Sequence, residues 1–362
     1  MSLSLFKKKA YVGLDMGSST INAVQVERAG DVWKVTRWAT IPTPKDSIRD
    51  GVVTNPEAVG DAIKQACRSS RISATSAVIA VAGGSVIVRA VRIPKMTEAT
   101  LRKSIKFEAG RYVPSSIEDS FIEFEIIGDA PEGNMDVLIV ASPREIVETR
   151  MAACQKAGLD VEVVDIEAFA MYRALIEASR DEGLTAETIA LVDVGAMTTN
   201  VSVVSGGVFA MTRSIPQAGH TLTEALKNYF KLNDEDAEQG KTQLDLQQLL
   251  SDDVVTENPP LRVLQPHIDD LIREIRRSLN YYQSQQTEAG KSTPVTRLVI
   301  SGGGASLAGL APYFENKLGI PVSCTGVFDN PRFVPVGNEN AGHGLDLTVA
   351  SGLAMRAFAK AA

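Results

Sequence analysis

Hydrophobic and polar positions alternate along the first forty residues of the chain. Residues 10–15, 20–28 and 32–41 are valine-rich and read as three strands, with Ala29-Gly30-Asp31 as the turn between the last two. Asn55-Pro56-Glu57 then opens a helix to about residue 69, Asn55 capping it and Pro56 taking the first helical position. Residues 77–81 read as a buried strand, which completes a β-β-β-α-β order. The pattern then returns. Residues 189–193, 200–204 and 208–213 read as strands, with Ser205-Gly206-Gly207 as a turn. The spacing returns with it: Asp15-Met16-Gly17 is followed by Thr20 and Asn22, as Asp193-Val194-Gly195 is by Thr198 and Asn200. A repeated unit with a matched glycine turn predicts two related halves facing each other.

Between the repeats lies a block at 86–154 that interrupts the first. It reads as a helix at 97–112, strands at 121–127 and 136–140 with a loop at 128–134 between them, and a helix at 143–157. Residues 221–290 are mostly helical, apart from a polar, loop-like segment at 251–260. The periodicity through Ile268, Leu271, Ile272, Ile275, Leu279 and Tyr282 is strong. A strand at 297–300, a glycine run and final helices close the chain. The expected architecture is α/β. Residues 1–85 with 155–187 form the first half, and 86–154 an inserted α/β subdomain. Residues 188–220 with 295–345 form the second half, 221–294 a helical subdomain over the cleft, and 346–362 a helix returning to the first half.

Composition narrows the class. The 362 residues are 44% hydrophobic and 22% charged, ordinary for a folded soluble protein, and exclude disordered, collagenous or disulfide-scaffold chains. A net charge of −7 argues against a nucleic-acid surface. The longest apolar runs are short, such as those at 78–82 and 138–141, and fall far short of the roughly 20 residues a membrane helix needs. The opening residues place Lys7-Lys8-Lys9 after a very short apolar stretch, the wrong order for a signal peptide. Cys67, Cys154 and Cys324 are widely separated, which fits a reducing compartment and no metal cluster. Together these point to the cytoplasm.

Three segments carry candidate chemistry. Asp15, at the end of a buried strand, needs a cation or donors there. Gly17 permits a tight turn whose N–H groups can point at a phosphate, and Ser18, Ser19 and Thr20 add small hydroxyl donors. Asp15 would hold Mg²⁺ through water, because that ion keeps much of its hydration shell. A plain hairpin turn with a capping aspartate is the alternative. Asp193, Gly195, Thr198 and Thr199 repeat the device, and two such turns would clamp one nucleotide from both sides. Gly302-Gly303-Gly304, after a strand and before a helix, lets a ring or phosphate approach the backbone. Neither GxGxxG nor GxxxxGK[ST] is present at these turns, which disfavours classical dinucleotide and P-loop sites. His220, His267 and His343 are scattered and form no catalytic set with a serine and an aspartate.

These segments, in this order, resemble the ATPase superfamily of actin, sugar kinases and heat-shock chaperones. The phosphate turns match at Asp15 and Asp193, and the adenosine turn at Gly302-Gly303-Gly304. The connecting helices match at Asp165-Ile166-Glu167-Ala168-Phe169-Ala170 and Ala350-Ser351-Gly352-Leu353-Ala354. Within the superfamily the sequence is most similar to the PilM family of type IV pilus assembly, relatives of the division protein FtsA. That resemblance rests on 15–24, on Ile93-Pro94-Lys95-Met96 with 107–114, on 157–165 and on 274–282. FtsA usually ends in a linker and an amphipathic helix, and this sequence stops after the second connecting helix, which favours PilM.

The resemblance implies an actin-like, duplicated RNase H-like fold and a cytoplasmic ATP- and Mg-binding adaptor with at most weak hydrolysis. It implies that Asp15 and Asp193 hold the metal through water, that Gly219 lies on the phosphate side, and that Glu238 and Lys241 touch ribose and adenine. Asn22 stands where relatives often carry lysine, which puts fast hydrolysis in doubt more than binding. Glu167 matches a glutamate that positions water in some chaperone ATPases, with a helix-capping or salt-bridge role as the alternative. The implied partner is the cytoplasmic N-terminal tail of the inner-membrane protein PilN, and through it the PilN/PilO/PilP complex and twitching motility. The implied location is the inner face of that membrane, with no direct span. Leu101, Ile105, Ala109 and Tyr112 form one stripe of the 97–112 helix, and Phe107 falls about 120° away from it. Phe107, Arg111 and Tyr112 are therefore candidate peptide contacts, against the alternative that Phe107 packs under a neighbouring subdomain. Filament formation like that of FtsA, with self-association, and a small-molecule kinase stay open as other functions. No general base for a kinase is identifiable.

Overall fold

The computed structural model describes residues 10–112, 116–251, 258–288, 293–337 and 341–358. The lysine run 7–9, Val113 and Pro114, the 252–257 part of the polar segment, and residues 289–292 lie outside the described residues.

The chain opens with strands β1 (Tyr11–Met16), β2 (Thr20–Ala29) and β3 (Val32–Pro42), then the short pair β4 (Ile48–Arg49) and β5 (Val52–Val53). Helix α1 (Pro56–Ser69) follows, capped by Asn55, whose side chain accepts from Ala58 N. Next come β6 (Ser76–Val81), β7 (Ile87–Pro94), α2 (Glu98–Ala109), β8 (Ser120–Ala130) and β9 (Asn134–Pro143). Then follow α3 (Arg144–Ala157), β10 (Asp160–Ile166), α4 (Glu167–Leu175) and α5 (Glu182–Ala186). The second repeat is β11 (Thr188–Val194), β12 (Thr199–Ser205) and β13 (Val208–Ile215), followed by α6 (Gly219–Phe230), α7 (Asp234–Thr242) and α8 (Pro259–Glu288). The chain closes with β14 (Arg297–Ser301), α9 (Leu310–Leu318), β15 (Val322–Cys324), β16 (Phe333–Pro335) and α10 (Thr348–Arg356).

Two compact units result. The first takes the described parts of Met1–Val81, Glu145–Ser179 and Gly326–Ala362. Its six-stranded sheet runs β10-β6-β1-β2-β3-β16, with β1 antiparallel to β2 and parallel to β6. One face buries Leu14, Ile21 and Ile79 against Val59 and Ile63 of α1 and Ala153 and Cys154 of α3. Each leucine, isoleucine or valine among them contributes about 1.5–3 kcal/mol when fully buried. The other face buries Val24, Val26 and Val35 against Ala350 and Ala354 of α10. Here backbones nearly touch. A Cβ on Gly13 would strike the Ala350 carbonyl, and one on Gly352 would strike the Ala170 carbonyl. Two glycines thus let α10 lie directly on β1 and α4. Arg173 ties the layer together, donating to Asp165 Oδ2 at 3.0 Å and to the Gly352 carbonyl at 2.9 Å.

The second unit takes Ala82–Arg144 and Arg180–Thr325. Its eight-stranded sheet runs β15-β14-β11-β12-β13-β7-β9-β8. The β11-β12-β13 meander, with β14 parallel to β11, repeats the plan of the first unit. Strands β7, β9 and β8 carry α2 on a core of Leu101, Ile105, Met135 and Ile139, and join β13 through the single pair Met211↔Arg89. The 86–154 block is therefore divided. Its sheet and α2 belong with the second repeat, whereas α3 packs on the first unit's sheet.

Other expectations shift at element ends. Residues 165–166 finish β10, so the first connecting helix begins at Glu167. The 128–134 loop shrinks because β8 runs to Ala130 and β9 starts at Asn134. Strand β7 was not foreseen, and α8 continues through Pro266 for 30 residues. Burial pushes the thiols of Cys67 and Cys324 up to about 11 and that of Cys154 up to about 12. Among the described residues no helix is long and apolar enough to cross a membrane.

Gly352→Val is expected to destabilise the protein by roughly 3 kcal/mol or more, or to leave it insoluble, because backbone must move to admit the side chain. Gly128→Ala, which meets open space, is expected to stay within about 1 kcal/mol. Denaturant unfolding of the two variants checks this.

Candidate functional site

The acidic turns of the two units match closely. In the first, Asp15 pairs in register with Asn22, and Gly17 N donates to Thr20 O at 3.0 Å. In the second, Asp193 pairs with Asn200, and Gly195 N donates to Thr198 O at 3.0 Å. A Cβ on either glycine would lie 2.9 Å from that threonine carbonyl, so neither turn tolerates a side chain there.

Around Asp15, Asn22 Nδ2 donates to Oδ2 across a long 3.4 Å. Thr40 Oγ1 lies 2.8 Å from Asn22 Oδ1 and 3.1 Å from Asp346 Oδ2. Thr43 braces the turn from below, its hydroxyl donating to Gly17 O at 2.7 Å and its N–H to Ser19 O at 2.8 Å. Ser18 and Ser19 are exposed. Buried Arg150 reaches in from α3, donating to the carbonyls of Gly51 and Ala80 at 3.1 Å each. Burial, above all, raises the Asp15 carboxyl above its usual range. The Asn22 bond and the Arg150 charge pull it down, and the Asp346 charge pushes it up. Such a carboxylate is short of solvation, which a hydrated cation would restore.

Around Asp193 the second unit brings several segments together. Gly302 has φ +91°, and a Cβ there would strike the Asp193 carboxyl. A Cβ on Gly304 would lie 2.6 Å from Val194 Cγ1 and 2.9 Å from Val194 O. Gly303 is exposed at the start of a 3₁₀ turn. The glycine run thus presses its backbone onto the acidic turn and exposes its other side. Helix α6 docks on the same turn, Gly219 N donating to Gly195 O at 3.2 Å and His220 N to Ala196 O at 2.8 Å. Those helix-start donors are spent on protein carbonyls. Thr199 Oγ1 is likewise spent on Gln217 O at 2.7 Å, which leaves Thr198 as the more accessible hydroxyl. Buried Lys241 donates to Gly219 O at 3.3 Å, Thr223 Oγ1 at 3.0 Å and Glu238 Oε2 at 2.7 Å. For Glu238 burial acts upward, but the donors Lys241 and Thr223 outweigh it and hold the carboxyl below its ordinary value.

The other candidates lie elsewhere. Glu167 opens α4 in the first unit, where a negative charge suits the helix dipole. Phe107 is 71% exposed, with the Arg111 guanidinium 5.5 Å from its ring centre. Tyr112 packs against the core of its subdomain, and Arg89 lies 5.3 Å from its ring. Among the described residues no group of three or more His, Cys, Asp or Glu side chains is arranged to hold a metal directly. Sequence reading missed Thr40, Thr43, Asp346 and Arg150. Nothing in their spacing signals a shared site, since Asp346 lies 306 residues from the Thr40 it bonds.

Lys241→Met is expected to cost about 1–3 kcal/mol, because Gly219 O and Glu238 lose a buried donor. Glu238 titrates below its unfolded value, so its contribution is present above about pH 4–5 and fades as pH falls through the folded value. Glu238→Gln is expected to flatten that acid limb in denaturant unfolding followed from pH 3 to 8.

Comparison with known proteins supports the architecture. Residues 13–358 match the family described as type IV pilus assembly protein PilM. A chain of the PilM-PilN type IV pilus biogenesis complex superposes with a TM-score of 0.82 at 25% identity, covering 96% of this chain and 98% of that one. MreB 5 of Spiroplasma citri, bound to AMPPNP, gives a TM-score of 0.53 at 15% identity, covering 98% and 97%. The cell division protein FtsA of Streptococcus pneumoniae is 22% identical over 349 residues, 86% of this chain and 74% of that protein. The chain spans about half the length of the Escherichia coli FtsA it also matches. The fold is therefore actin-like. With one family matched from residue 13 to residue 358, the chain belongs to the PilM family of type IV pilus assembly proteins.

Proposed function

We propose that this protein is a cytoplasmic ATP·Mg-binding adaptor of the type IV pilus that captures the N-terminal tail of PilN at the inner membrane. The observation that carries the nucleotide half is the glycine cradle. Gly302 and Gly304 have no room for a side chain against Asp193 and Val194, Gly303 between them is exposed, and Gly304 lines one recess with Gly219, whose carbonyl Lys241 bonds. In this reading Gly302-Gly303-Gly304, Glu238 and Lys241 take the adenosine. Ser18, Ser19, Thr20, Thr198 and the turn backbones take phosphate oxygens. Asp15 and Asp193 hold the magnesium through water, which suits single carboxylates better than a direct ligand cluster does. When bound, the nucleotide and its metal would supply a hydrated cation to offset the burial of Asp15 and a polyanion for the turn donors. Glu167 is assigned to orienting water in whatever slow hydrolysis accompanies binding.

The partner half is supported by the family and by likeness to a chain from a PilM-PilN complex. Phe107, with Arg111 stacked on it, is an exposed apolar anchor of the kind that short peptides use. PilO and PilP would then be reached only through PilN.

Calorimetric titration with ATP·Mg²⁺ and with a PilN-tail peptide is expected to show binding of both; absence of peptide binding with and without nucleotide sinks the adaptor reading. Asp15→Asn is expected to abolish ATP·Mg²⁺ binding while raising the thermal midpoint of the free protein. The reason is that an acid whose folded value is raised opposes folding when ionised at neutral pH, and the amide removes that charge. Phe107→Ala is expected to weaken peptide binding about tenfold without lowering stability, since the ring is exposed.

A further inference from the structure

The hydrogen bonds behind the Asp15 turn are one proton short. Asn22 is 3% exposed, and with Asp15 ionised it must face that carboxylate with its amide nitrogen. Its buried amide oxygen then depends on Thr40 Oγ1, at 2.8 Å. The same hydroxyl lies 3.1 Å from Asp346 Oδ2. A threonine hydroxyl carries one proton, and both neighbours are acceptors, so it can serve only one of them at a time. The carboxylate is the stronger acceptor, while the amide oxygen is the one that water reaches poorly. The competition is therefore close, and the 3.4 Å bond from Asn22 to Asp15 is as long as a loosely held brace would be.

We propose that Asp346 is a positioning residue for the Asp15 turn, competing with Asn22 for the single Thr40 proton and so setting how firmly Asn22 braces Asp15. This rests on the nucleotide reading above for its consequence, but the competition belongs to the free protein. Asp346 enters from the segment that leads into α10, the helix packed directly on β1. The start of α10 is thereby tied to the state of the turn. When Thr40 turns to Asp346, Asn22 is left without its second bond and Asp15 loses its brace. When Thr40 turns to Asn22, the brace tightens and Asp346 is left to water.

Asp346→Asn converts an acceptor into a group that can donate to Thr40 Oγ1, which commits the Thr40 proton to Asn22. ATP·Mg²⁺ affinity is expected to rise about threefold to tenfold in this variant and to fall by a similar factor in Thr40→Val, the range of one hydrogen bond. Thr40→Ser, which keeps the hydroxyl, is expected to behave as the unaltered protein. In the Thr40→Val background Asp346→Asn is expected to retain only the smaller effect of losing its charge, so the double-mutant cycle is strongly non-additive. In the nucleotide-free protein, hydrogen exchange of the Asn22 side-chain amide is expected to slow in Asp346→Asn and not in the double variant. An Asp346→Asn effect of equal size in the Thr40→Val background would reduce the residue to its charge and overturn the inference. So would Thr40→Ser failing as Thr40→Val does, or an unchanged exchange rate in Asp346→Asn. Absence of ATP binding with the exchange pattern intact overturns the nucleotide reading alone.

Discussion

A carboxylate that ends a buried strand has to be met by donors or by a cation, and each half of this protein is arranged around one. At Asp15 and at Asp193 the strand stops, a glycine folds back onto a threonine carbonyl, and the next strand leaves in antiparallel register. The geometry repeats almost atom for atom because the requirement repeats. The chain must reverse tightly enough that its N–H groups stay at the end of the sheet, close to the charge. A side chain at either glycine would press on the carbonyl that closes the turn.

The surroundings of the two turns then diverge. In the first unit the acid is backed by side chains from distant segments, and burial outweighs the Asn22 bond and the Arg150 charge that favour its ionised form. In the second, main chain does most of the work: the glycine run lies on the turn, and the start of α6 donates to its carbonyls. Lys241 also holds that helix start by donating to Gly219 O.

Much of this was legible in the sequence, for reasons that can be named. The strand meanders alternate with period two, and their shared Asp-x-Gly spacing marks the repeat. The α8 periodicity and the Asn55-Pro56 helix start are local signals, and both elements formed where expected. The misses are non-local. Strand β7 takes its place by pairing with β9, some fifty residues downstream, and with β13, more than a hundred downstream. Residues 165–166 look helical because an apolar helical run follows them, but the ladder with β6 claims them. Arg150, on a helix expected to belong to the inserted block, is held by carbonyls of the first unit instead. Asp346 bonds across most of the length of the chain. Propensity and periodicity carry no information about such partners.

The three native thiols have a practical corollary. Burial makes each a much weaker acid than a free cysteine, so at neutral pH almost none of it exists as the nucleophilic thiolate. Alkylating dyes and spin labels would react with them sluggishly. A single cysteine introduced on an exposed strand or helix would then outpace all three native thiols, which gives a low labelling background for spectroscopy.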